Sequence, residues 1–424
     1  MNILILGANG FIGSAVLAHL QRAGHSVTGL GRDIAHARNR CPSADWVRAD
    51  IATLTSPGRW TPLLRGIDVV VNCAGALQDG PRDDLAATQR DAMLALYDAA
   101  SGAGIRLVVQ ISAQTETGAD LPFLATKAQA DDALKQSGLP YIILRPALVL
   151  GRNAHGGSAL LRSLAALPLV TPLTFADQRV ETVAVDDVAE CVRKAVDGEL
   201  PAGTEAYLSG DAADFSALVG LHRAWLGLPP ARILPLPGMV AAPVSWLADL
   251  AGKLGWRSPL RSTAMRVMAG GVTARGPRLD LPLLSARDTL TLHPAGVQDL
   301  WFARLYLLKP VLIATLSLFW VASGFIPFLN LELAAAHFLP FIPWGPAIGL
   351  TVATSVLDIS LGLGVLWRPT ARASLIGQVG LALAYLLGGT LLEPSLWLDP
   401  LGPYVKVLPA IALSLGVLTI LDER

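Results

Sequence analysis

The first residues of the chain join a short apolar run to a turn rich in glycine. The apolar run is Asn2 to Leu6, the turn reads Gly7-Ala-Asn9-Gly10-Phe11-Ile12-Gly13, and the helical pattern Val16, Leu17, Leu20 follows. Glycine lets a backbone turn tightly and approach a pyrophosphate, and the N-terminus of the next helix offers unpaired N–H groups. The order of strand, glycine turn and helix predicts a dinucleotide site held by Gly7, Gly10 and Gly13, with Asn9, Phe11 and Ile12 in the same turn.

Arg32 follows the second apolar run, and its chemistry bears on which dinucleotide would bind. In this order of elements, the residue after the second strand lies at the adenosine ribose. Gly31 offers no carboxylate for a ribose 2′-hydroxyl, whereas the Arg32 guanidinium can pair with a 2′-phosphate. We therefore predict NADP as the cofactor. NAD is the alternative, in which Arg32 is a solvated turn residue and Asp33 binds the ribose.

Apolar runs typical of strands alternate with helical stretches over the first half of the chain. The predicted strands are Asn2 to Leu6, His25 to Leu30, Asp45 to Ala49, Ile67 to Cys73, Ile105 to Ser112 and Tyr141 to Leu144. Such alternation favours an α/β doubly wound parallel sheet, the Rossmann fold. We predict that this domain covers residues 1–230 and that residues 231–300 form a substrate lobe and a connector.

Further motifs occur in an order that resembles one enzyme superfamily. They are GANGFIG at the first turn, Asp50-Ile51, Asn72-Cys-Ala74-Gly75, Arg145-Pro-Ala-Leu-Val-Leu-Gly151 and Val185-Asp-Asp-Val-Ala189. Their order resembles the short-chain dehydrogenase/reductase superfamily in its extended or atypical branch, which is epimerase/dehydratase-like, over residues 1 to 230. The resemblance implies that Asp50 and Ile51 contact the adenine and that Ala74 and Gly75 lie against the cofactor.

The same resemblance implies where catalytic groups would lie. In the superfamily, a Tyr-x-x-x-Lys pair on one helix performs acid–base chemistry beside a serine at the end of the fifth strand. Here Ser112 ends the fifth predicted strand, Lys127 has the lysine position, and Phe123 stands where the tyrosine is expected. A phenyl ring cannot move a proton, so a step usually worth roughly 10²–10⁴-fold in rate is missing. Ser112 and Lys127 can still orient the substrate and the nicotinamide ribose.

Three explanations of Phe123 stay open. The alignment could be shifted, although no tyrosine of this chain stands four residues before a lysine. The chemistry could instead need no phenol, as when hydride passes to an acceptor that takes its proton from water or a nearby group. The third explanation is a bound nucleotide that stabilises or signals rather than turns over. Gln114, Thr115 and Thr117 offer further polar groups near Ser112.

The chain changes character after Lys309, where charged residues nearly vanish. Overall, 52% of the residues are hydrophobic and the mean hydropathy is +0.49. Four charge-poor stretches, at 310–331, 346–367, 373–392 and 404–421, are candidates to cross a hydrocarbon layer about 30 Å thick. We predict an all-α four-helix transmembrane domain over residues 301–424. Its span number and glycine-rich texture resemble the DoxX-like membrane proteins, a family that includes subunits linked to quinone-dependent redox chemistry.

The charges between the spans predict the orientation of the chain. Arg304, Lys309, Arg368 and Arg372 flank the predicted spans on one side, whereas the loop from 330 to 345 has no Lys or Arg. By the positive-inside rule, both termini and the nucleotide domain are cytoplasmic, at the inner membrane of the cell. The net charge of zero offers no basic surface for nucleic acid. Cys41, Cys73 and Cys191 lack metal-ligand spacing, so no metal is predicted.

Two features near the membrane part have two interpretations each. Asp358 lies inside the second predicted span, where a carboxylate is a functional candidate, or else bonds a serine or a neighbouring helix, or marks a misplaced span. The segment from Pro243 to Trp256 has Trp246, Leu247 and Leu250 at helical spacing. It either rests on the membrane interface or packs against the cofactor domain.

Two functional hypotheses follow from the pairing of a nucleotide site with membrane spans. The first is a membrane-anchored NAD(P)-dependent oxidoreductase that passes hydride to a hydrophobic, membrane-associated or quinone-like acceptor. The second is a non-catalytic NADP(H)-binding accessory or regulatory subunit of a membrane protein complex. In both hypotheses the lipid bilayer is a partner of the chain.

Overall fold

The computed structural model describes residues 1–76, 78–81, 83–114 and 121–422. These residues form two compact units. The first contains Met1–Asp249 and Ser258–Ala303, and the second contains Leu250–Arg257 and Arg304–Arg424. The boundary predicted after residue 300 lies close to Arg304, where the larger part of the second unit begins. Residues 250–257 were predicted to belong to the substrate lobe and connector, whereas the structure groups them with the second unit.

The first unit is built on a parallel sheet of seven strands in its described residues, ordered β3-β2-β1-β4-β5-β6-β10. In chain order the strands of this unit are β1 (Asn2–Leu6), β2 (Ser26–Gly31), β3 (Asp45–Arg48), β4 (Val69–Asn72), β5 (Leu107–Ile111), β6 (Tyr141–Pro146), β7 (Leu148–Leu150), β8 (Val170–Thr174), β9 (Arg179–Ala184), β10 (Thr204–Leu208), β11 (Ala212–Asp214) and β12 (Arg232–Leu236). The strand order reverses between β1 and β4, which is the position where doubly wound sheets bind nucleotides. The six predicted strands and the predicted Rossmann fold are therefore confirmed.

Helices cover both faces of this sheet. The helices that begin in the first unit are α1 (Phe11–Arg22), α2 (Ile34–Arg40), α3 (Pro57–Trp60), α4 (Ala92–Ala103), α5 (Pro122–Gln136), α6 (Gly157–Ala165), α7 (Val185–Val196), α8 (Phe215–Trp225), α9 (Ala241–Lys253), α10 (Ser262–Ala269), α11 (Ala286–Leu292) and α12 (Val297–Leu329). Ile3 and Ile5 of β1 pack in the layer of α1 and α7, whereas Leu4 and Leu6 pack in the layer of α4 and α5. Side chains alternate across a strand, so a sheet buried on both faces needs such a continuous apolar run.

A smaller lobe follows the sheet within the first unit. β7 and β9 are parallel, β11 pairs with β9 in the antiparallel sense, and β8 pairs with β12. Its core is formed by α6, α8 and the strands around them, with Leu161, Leu173 and Leu218 buried. Arg162 is buried there as well and donates to Asp299 over 3.3 Å, a bond that ties α6 to the start of α12.

Helix α9 has an unusual distribution of side chains. The buried positions are small, namely Ala241, Ser245, Ala248 and Gly252, and they recur at helical spacing. The large apolar residues lie on the outer side, where Trp246 is 65% exposed and Leu247 is 58% exposed. The segment is thus divided between the two units, since α9 up to Asp249 belongs to the first unit and Leu250–Arg257 to the second, and its large apolar side chains are not the ones that pack.

The second unit is helical. It contains the greater part of α12, followed by α13 (Leu331–Ala336), α14 (Trp344–Gly364), α15 (Arg368–Leu392) and α16 (Val407–Thr419). Among the described residues, three of these helices, α12, α14 and α15, are long and apolar enough to cross a membrane. The predicted fourth span is shorter than expected. Its helix α16 has 13 residues, or about 20 Å, because the turn containing Pro400, Gly402 and Pro403 delays its start.

In the second unit, polar side chains are buried and large apolar side chains are exposed, which is the reverse of a soluble helical bundle. The side of α14 that is buried carries Thr351, Ser355 and Asp358, and α15 buries Gln378. Large apolar residues are exposed, including Leu318, Phe325, Val356, Leu357, Ile376, Leu383, Leu387 and Leu391. A hydrocarbon solvent favours this arrangement, because apolar side chains meet lipid while polar groups hydrogen-bond between helices. The unit is therefore a membrane domain in its chemistry as well as in its helix lengths.

Asp358 lies well inside α14 and is buried. Tyr385 of α15 donates its hydroxyl to Asp358 Oδ1 over 2.8 Å. The alternative of a misplaced span boundary is therefore wrong, and the alternative of a bond to a neighbouring helix is confirmed. A functional role of this carboxylate stays a prediction.

Candidate functional site

The glycine turn after β1 leaves no room for side chains at two of its positions. Gly7 has φ +69°, and a Cβ placed on it would lie 3.0 Å from backbone atoms of Ala74. A Cβ on Gly13 would lie 2.2 Å from the carbonyl oxygen of Gly7. The turn therefore packs directly on the end of β4 and on the first turn of α1, as a close approach of backbone to a pyrophosphate requires.

The other residues of the turn place helix α1. Gly10 is the N-cap of α1 and provides no side-chain cap, so N–H groups of the first turn stay available to an anion. The ring of Phe11 lies against Gly151, since a Cβ there would be 3.4 Å from Phe11 Cε2. Asn9 lies over the end of β2, because a Cβ placed on Gly31 would be 3.5 Å from Asn9 Oδ1.

Arg32 follows β2 and is paired with an acidic residue of a distant loop. Its Nη2 donates to Asp83 Oδ1 over 2.8 Å. Asp33, the alternative ribose ligand, caps α2 by accepting from the amide of His36. Asp50 likewise caps the 3₁₀ turn Ile51–Thr53 by accepting from the amide of Ala52, and Ile51 is buried in the core. The predicted adenosine ligands thus lie at the carboxyl ends of β2 and β3.

Lys127 lies against the end of β4. A Cβ placed on Gly75 would lie 3.4 Å from Lys127 Nζ, and Nζ donates to the carbonyl of Ile111 over 3.0 Å. Burial lowers the pKa of the Lys127 ammonium, while the charge of Asp131 opposes that change. The structure therefore brings Gly75 and Lys127 together in one place, as a site at the nicotinamide end of a dinucleotide requires.

Ser112 is bound by an acidic residue on the same helix as Lys127. Its Oγ donates to Asp131 Oδ2 over 2.6 Å, and Arg145 Nη2 donates to the same oxygen over 3.0 Å. Burial raises the pKa of the Asp131 carboxyl, while Ser112 and Arg145 oppose that change. Arg145 also pairs with Glu205 over 3.1 Å. The hydroxyl of Ser112 is thus held by a buried ion pair.

Phe123 lies in the first turn of α5, one turn before Lys127. The hydroxyl of Thr126, on the same helix, bonds back to the carbonyls of Pro122 and Phe123. Gln114 is buried next to the end of β5. Thr115 and Thr117 lie outside the described residues.

Two residues of the site were not identified from the sequence. Asp131 stands four residues after Lys127 on α5, a spacing that places both side chains on one helix face and is a usable signal. Asp83 belongs to the loop after β4, and no local pattern indicates that it meets Arg32, 51 residues earlier. Contacts between distant loops are set by the fold rather than by spacing.

The fold and the site together define a dinucleotide-binding Rossmann protein. The residues present fit such a cofactor: Gly7 and Gly13 leave the space that a Cβ would fill, α1 begins at the switch point, and an ammonium lies at the far end.

Two family models match this chain. Residues 7–198 match the NAD(P)H-binding family, and residues 317–415 match the DoxX-like family. The chain therefore joins an NAD(P)-binding Rossmann domain to a C-terminal DoxX-like domain, and the predicted combination is confirmed.

The curated relatives match less than half of this chain, and the chain spans less than two thirds of the length of the two that follow. An uncharacterized protein of Mycobacterium tuberculosis is 30% identical over 199 residues, which is 46% of this chain and 20% of that protein. A ceramide reductase of Caulobacter vibrioides is 26% identical over 188 residues, or 44% of this chain and 58% of the reductase. Among solved structures, the crystal structure of gox2253 has a TM-score of 0.52 at 21% identity, covering 68% of this chain and 95% of that chain. That likeness concerns the fold.

Proposed function

We propose that this protein is a membrane-anchored NAD(P)-dependent oxidoreductase that acts on a hydrophobic acceptor delivered by the bilayer. The observation that carries the proposal is the pairing, in one chain, of an intact dinucleotide cradle with a membrane domain. Gly7, Gly10 and Gly13 would hold the pyrophosphate, and Lys127 would hold the nicotinamide ribose next to Gly75. When bound, the nicotinamide supplies or accepts hydride.

Other residues of the cradle have supporting roles in this proposal. Asn9, Phe11 and Ile12 shape the turn, Asp50 and Ile51 border the adenine, and Ala74 lies under the cofactor at the end of β4. Ser112 orients the substrate oxygen while Asp131 holds its hydroxyl. The nucleotide domain lies on the cytoplasmic side of the inner membrane, as the basic residues around the spans favour.

The acceptor is a lipid or a quinone-like molecule. The Caulobacter relative is a ceramide reductase, and a lipid of that kind reaches an enzyme from the membrane. Purified full-length protein in nanodiscs is expected to oxidise NADPH when supplied with a short-chain quinone or a lipid ketone. Tight nucleotide binding without any oxidation by either acceptor class would overturn the proposal.

A second candidate function is a non-catalytic nucleotide-binding subunit of a membrane complex. Phe123 favours it, because the phenol that normally moves the proton is absent four residues before Lys127. Co-purification of stoichiometric partner proteins, with bound nucleotide that does not turn over, would support this function. A monodisperse protein with steady turnover would exclude it.

The variant Phe123→Tyr tests whether this protein retains a pocket that binds a carbonyl substrate. A phenol one turn before Lys127 would have its pKa lowered by the ammonium and could donate a proton. We expect NADPH-dependent reduction of a lipid ketone to rise by about 10²-fold or more, the usual range of acid–base catalysis. Phe123→Leu is the control, since it changes the ring without adding a hydroxyl. Equal rates in both variants would argue against ketone chemistry.

Cofactor choice depends on Arg32 and its partner Asp83. We propose NADP, with the Arg32 guanidinium on the 2′-phosphate, and Asp83 then weakens that binding by repulsion and by competing for the guanidinium. In Asp83→Asn, the ratio of the Kd for NADPH to the Kd for NADH is expected to fall about 10-fold, or ~1.4 kcal/mol.

Fluorescence titration of both nucleotides measures this ratio. Asp214→Asn is the matched control, because Asp214 pairs with Arg179 over 3.1 Å in the smaller lobe and carries the same charge. An unchanged ratio in Asp83→Asn would place the 2′-phosphate away from Arg32.

A further inference from the structure

The outer side of α9 is an apolar surface, to which no function has been assigned above. We call it the α9 surface; it consists of Met239, Val240, Val244, Trp246, Leu247 and Leu250. Each of these side chains is at least 45% exposed by area. Val240, Val244 and Leu247 are spaced by three or four residues, as are Trp246 and Leu250, so these side chains share one side of the helix and of the 3₁₀ turn Gly238–Val240 before it. A soluble surface seldom carries such a continuous apolar stripe.

The distribution of side chains in α9 matches that of the membrane helices rather than that of the Rossmann helices. Ala241, Ser245, Ala248 and Gly252 face inward, as the small and polar residues of α14 do. Helix α7, by contrast, buries Val188, Cys191 and Val192. The 13 residues of α9 give a length of about 20 Å, too short to cross a bilayer. A helix of this length and polarity fits in the plane of an interface.

The C-terminal end of α9 is continuous with the membrane unit. Residues Leu250–Arg257 belong to that unit, and Trp256 Nε1 donates to the carbonyl of Leu366 over 2.6 Å. The Trp256 ring lies 5.6 Å from Lys309 Nζ and 5.5 Å from the guanidinium carbon of Arg368. Lys309 and Arg368 flank the spans, at the level where lipid head groups are expected.

We infer that the α9 surface inserts into the head-group and acyl boundary of the bilayer leaflet next to Trp256. Trp246 is an interfacial anchor, and Leu247 and Leu250 enter the acyl region. The basic residues around Trp256 favour a leaflet that contains anionic lipids. Lipid is the occupant that fits best because Trp256 belongs to the unit whose helices have the length and the exposed apolar side chains of membrane spans.

Spin labels on the full-length protein test this inference. A nitroxide is attached to a cysteine at position 247, or at 244 as a second position, in nanodiscs of phosphatidylcholine and phosphatidylglycerol. The background carries Cys41→Ser and Cys73→Ser, because both of these side chains are partly exposed, whereas Cys191 is buried and inaccessible to the label. The control label replaces Asp98, which is exposed on α4 of the nucleotide domain.

Collisions with oxygen, which dissolves in lipid, are compared with collisions with a nickel chelate, which stays in water. We expect labels at 244 and 247 to collide mainly with oxygen, and the label at 98 to collide mainly with nickel. Strong nickel collisions at 247 would overturn the inference. Weak collisions with both reagents, with dipolar broadening between labels, would overturn it in favour of a second copy of the chain.

Discussion

The variant Gly13→Ala is expected to lose nucleotide binding by about 100-fold or more, which corresponds to ~2.8 kcal/mol. The added Cβ would lie 2.2 Å from the carbonyl oxygen of Gly7 and 3.0 Å from Ala8 Cα. These are backbone atoms, so the clash is relieved only if the first turn of α1 moves away from the glycine turn. That movement carries with it the N–H groups that would bind the pyrophosphate.

Gly102→Ala is the matched control for this variant. Gly102 lies in α4, and a Cβ placed on it would meet no atom within 4 Å. Alanine favours a helix over glycine by up to ~1 kcal/mol, so this variant should bind nucleotide normally and unfold at an equal or higher temperature. Titration of NADPH binding to full-length protein, with a thermal unfolding scan, measures both effects. Normal affinity in a folded Gly13→Ala protein would show that α1 is not part of the site.

The Rossmann sheet could be predicted from the sequence because its signal is local. Each strand is a short apolar run. The residues Ile3 to Leu6 point alternately into two buried layers, so every position is apolar, as in a parallel sheet that is covered by helices on both faces. The glycine turn is also local, since a Cβ on Gly10 or on Gly13 would meet the carbonyl oxygen of Gly7. Features of this kind can be predicted from the spacing of residues in the sequence.

Other features depend on tertiary contacts that spacing does not define. The periodicity of α9 marks a stripe of large apolar residues, but it does not reveal that the helix packs through Ala241, Ser245 and Ala248 instead. The pairing of Asp83 with Arg32 depends on the path of a loop. The length of α16 depends on how the turn after Pro400 is completed.

Asp131→Ala is expected to destabilise the nucleotide domain by ~3–5 kcal/mol, the usual effect of breaking a buried ion pair. Arg145 and Asp131 are both buried, so removal of the carboxylate leaves the Arg145 guanidinium with Glu205, which is only partly buried. It also leaves the Ser112 hydroxyl without its acceptor. For a domain of this size we expect the first unfolding transition to fall by roughly 10 °C.

Asp132→Ala is the control for this prediction, because Asp132 is the next residue of α5 and pairs with Lys135 at the surface over 2.9 Å. An exposed pair of this kind contributes only about 0–1 kcal/mol. If Asp131→Ala were no more harmful than Asp132→Ala, Glu205 alone would neutralise Arg145. Asp131→Asn keeps an oxygen that can accept from Ser112. If the folded Asp131→Asn protein turns over normally while the folded Asp131→Ala protein does not, the oxygen that accepts from Ser112, rather than the charge of Asp131, positions that hydroxyl.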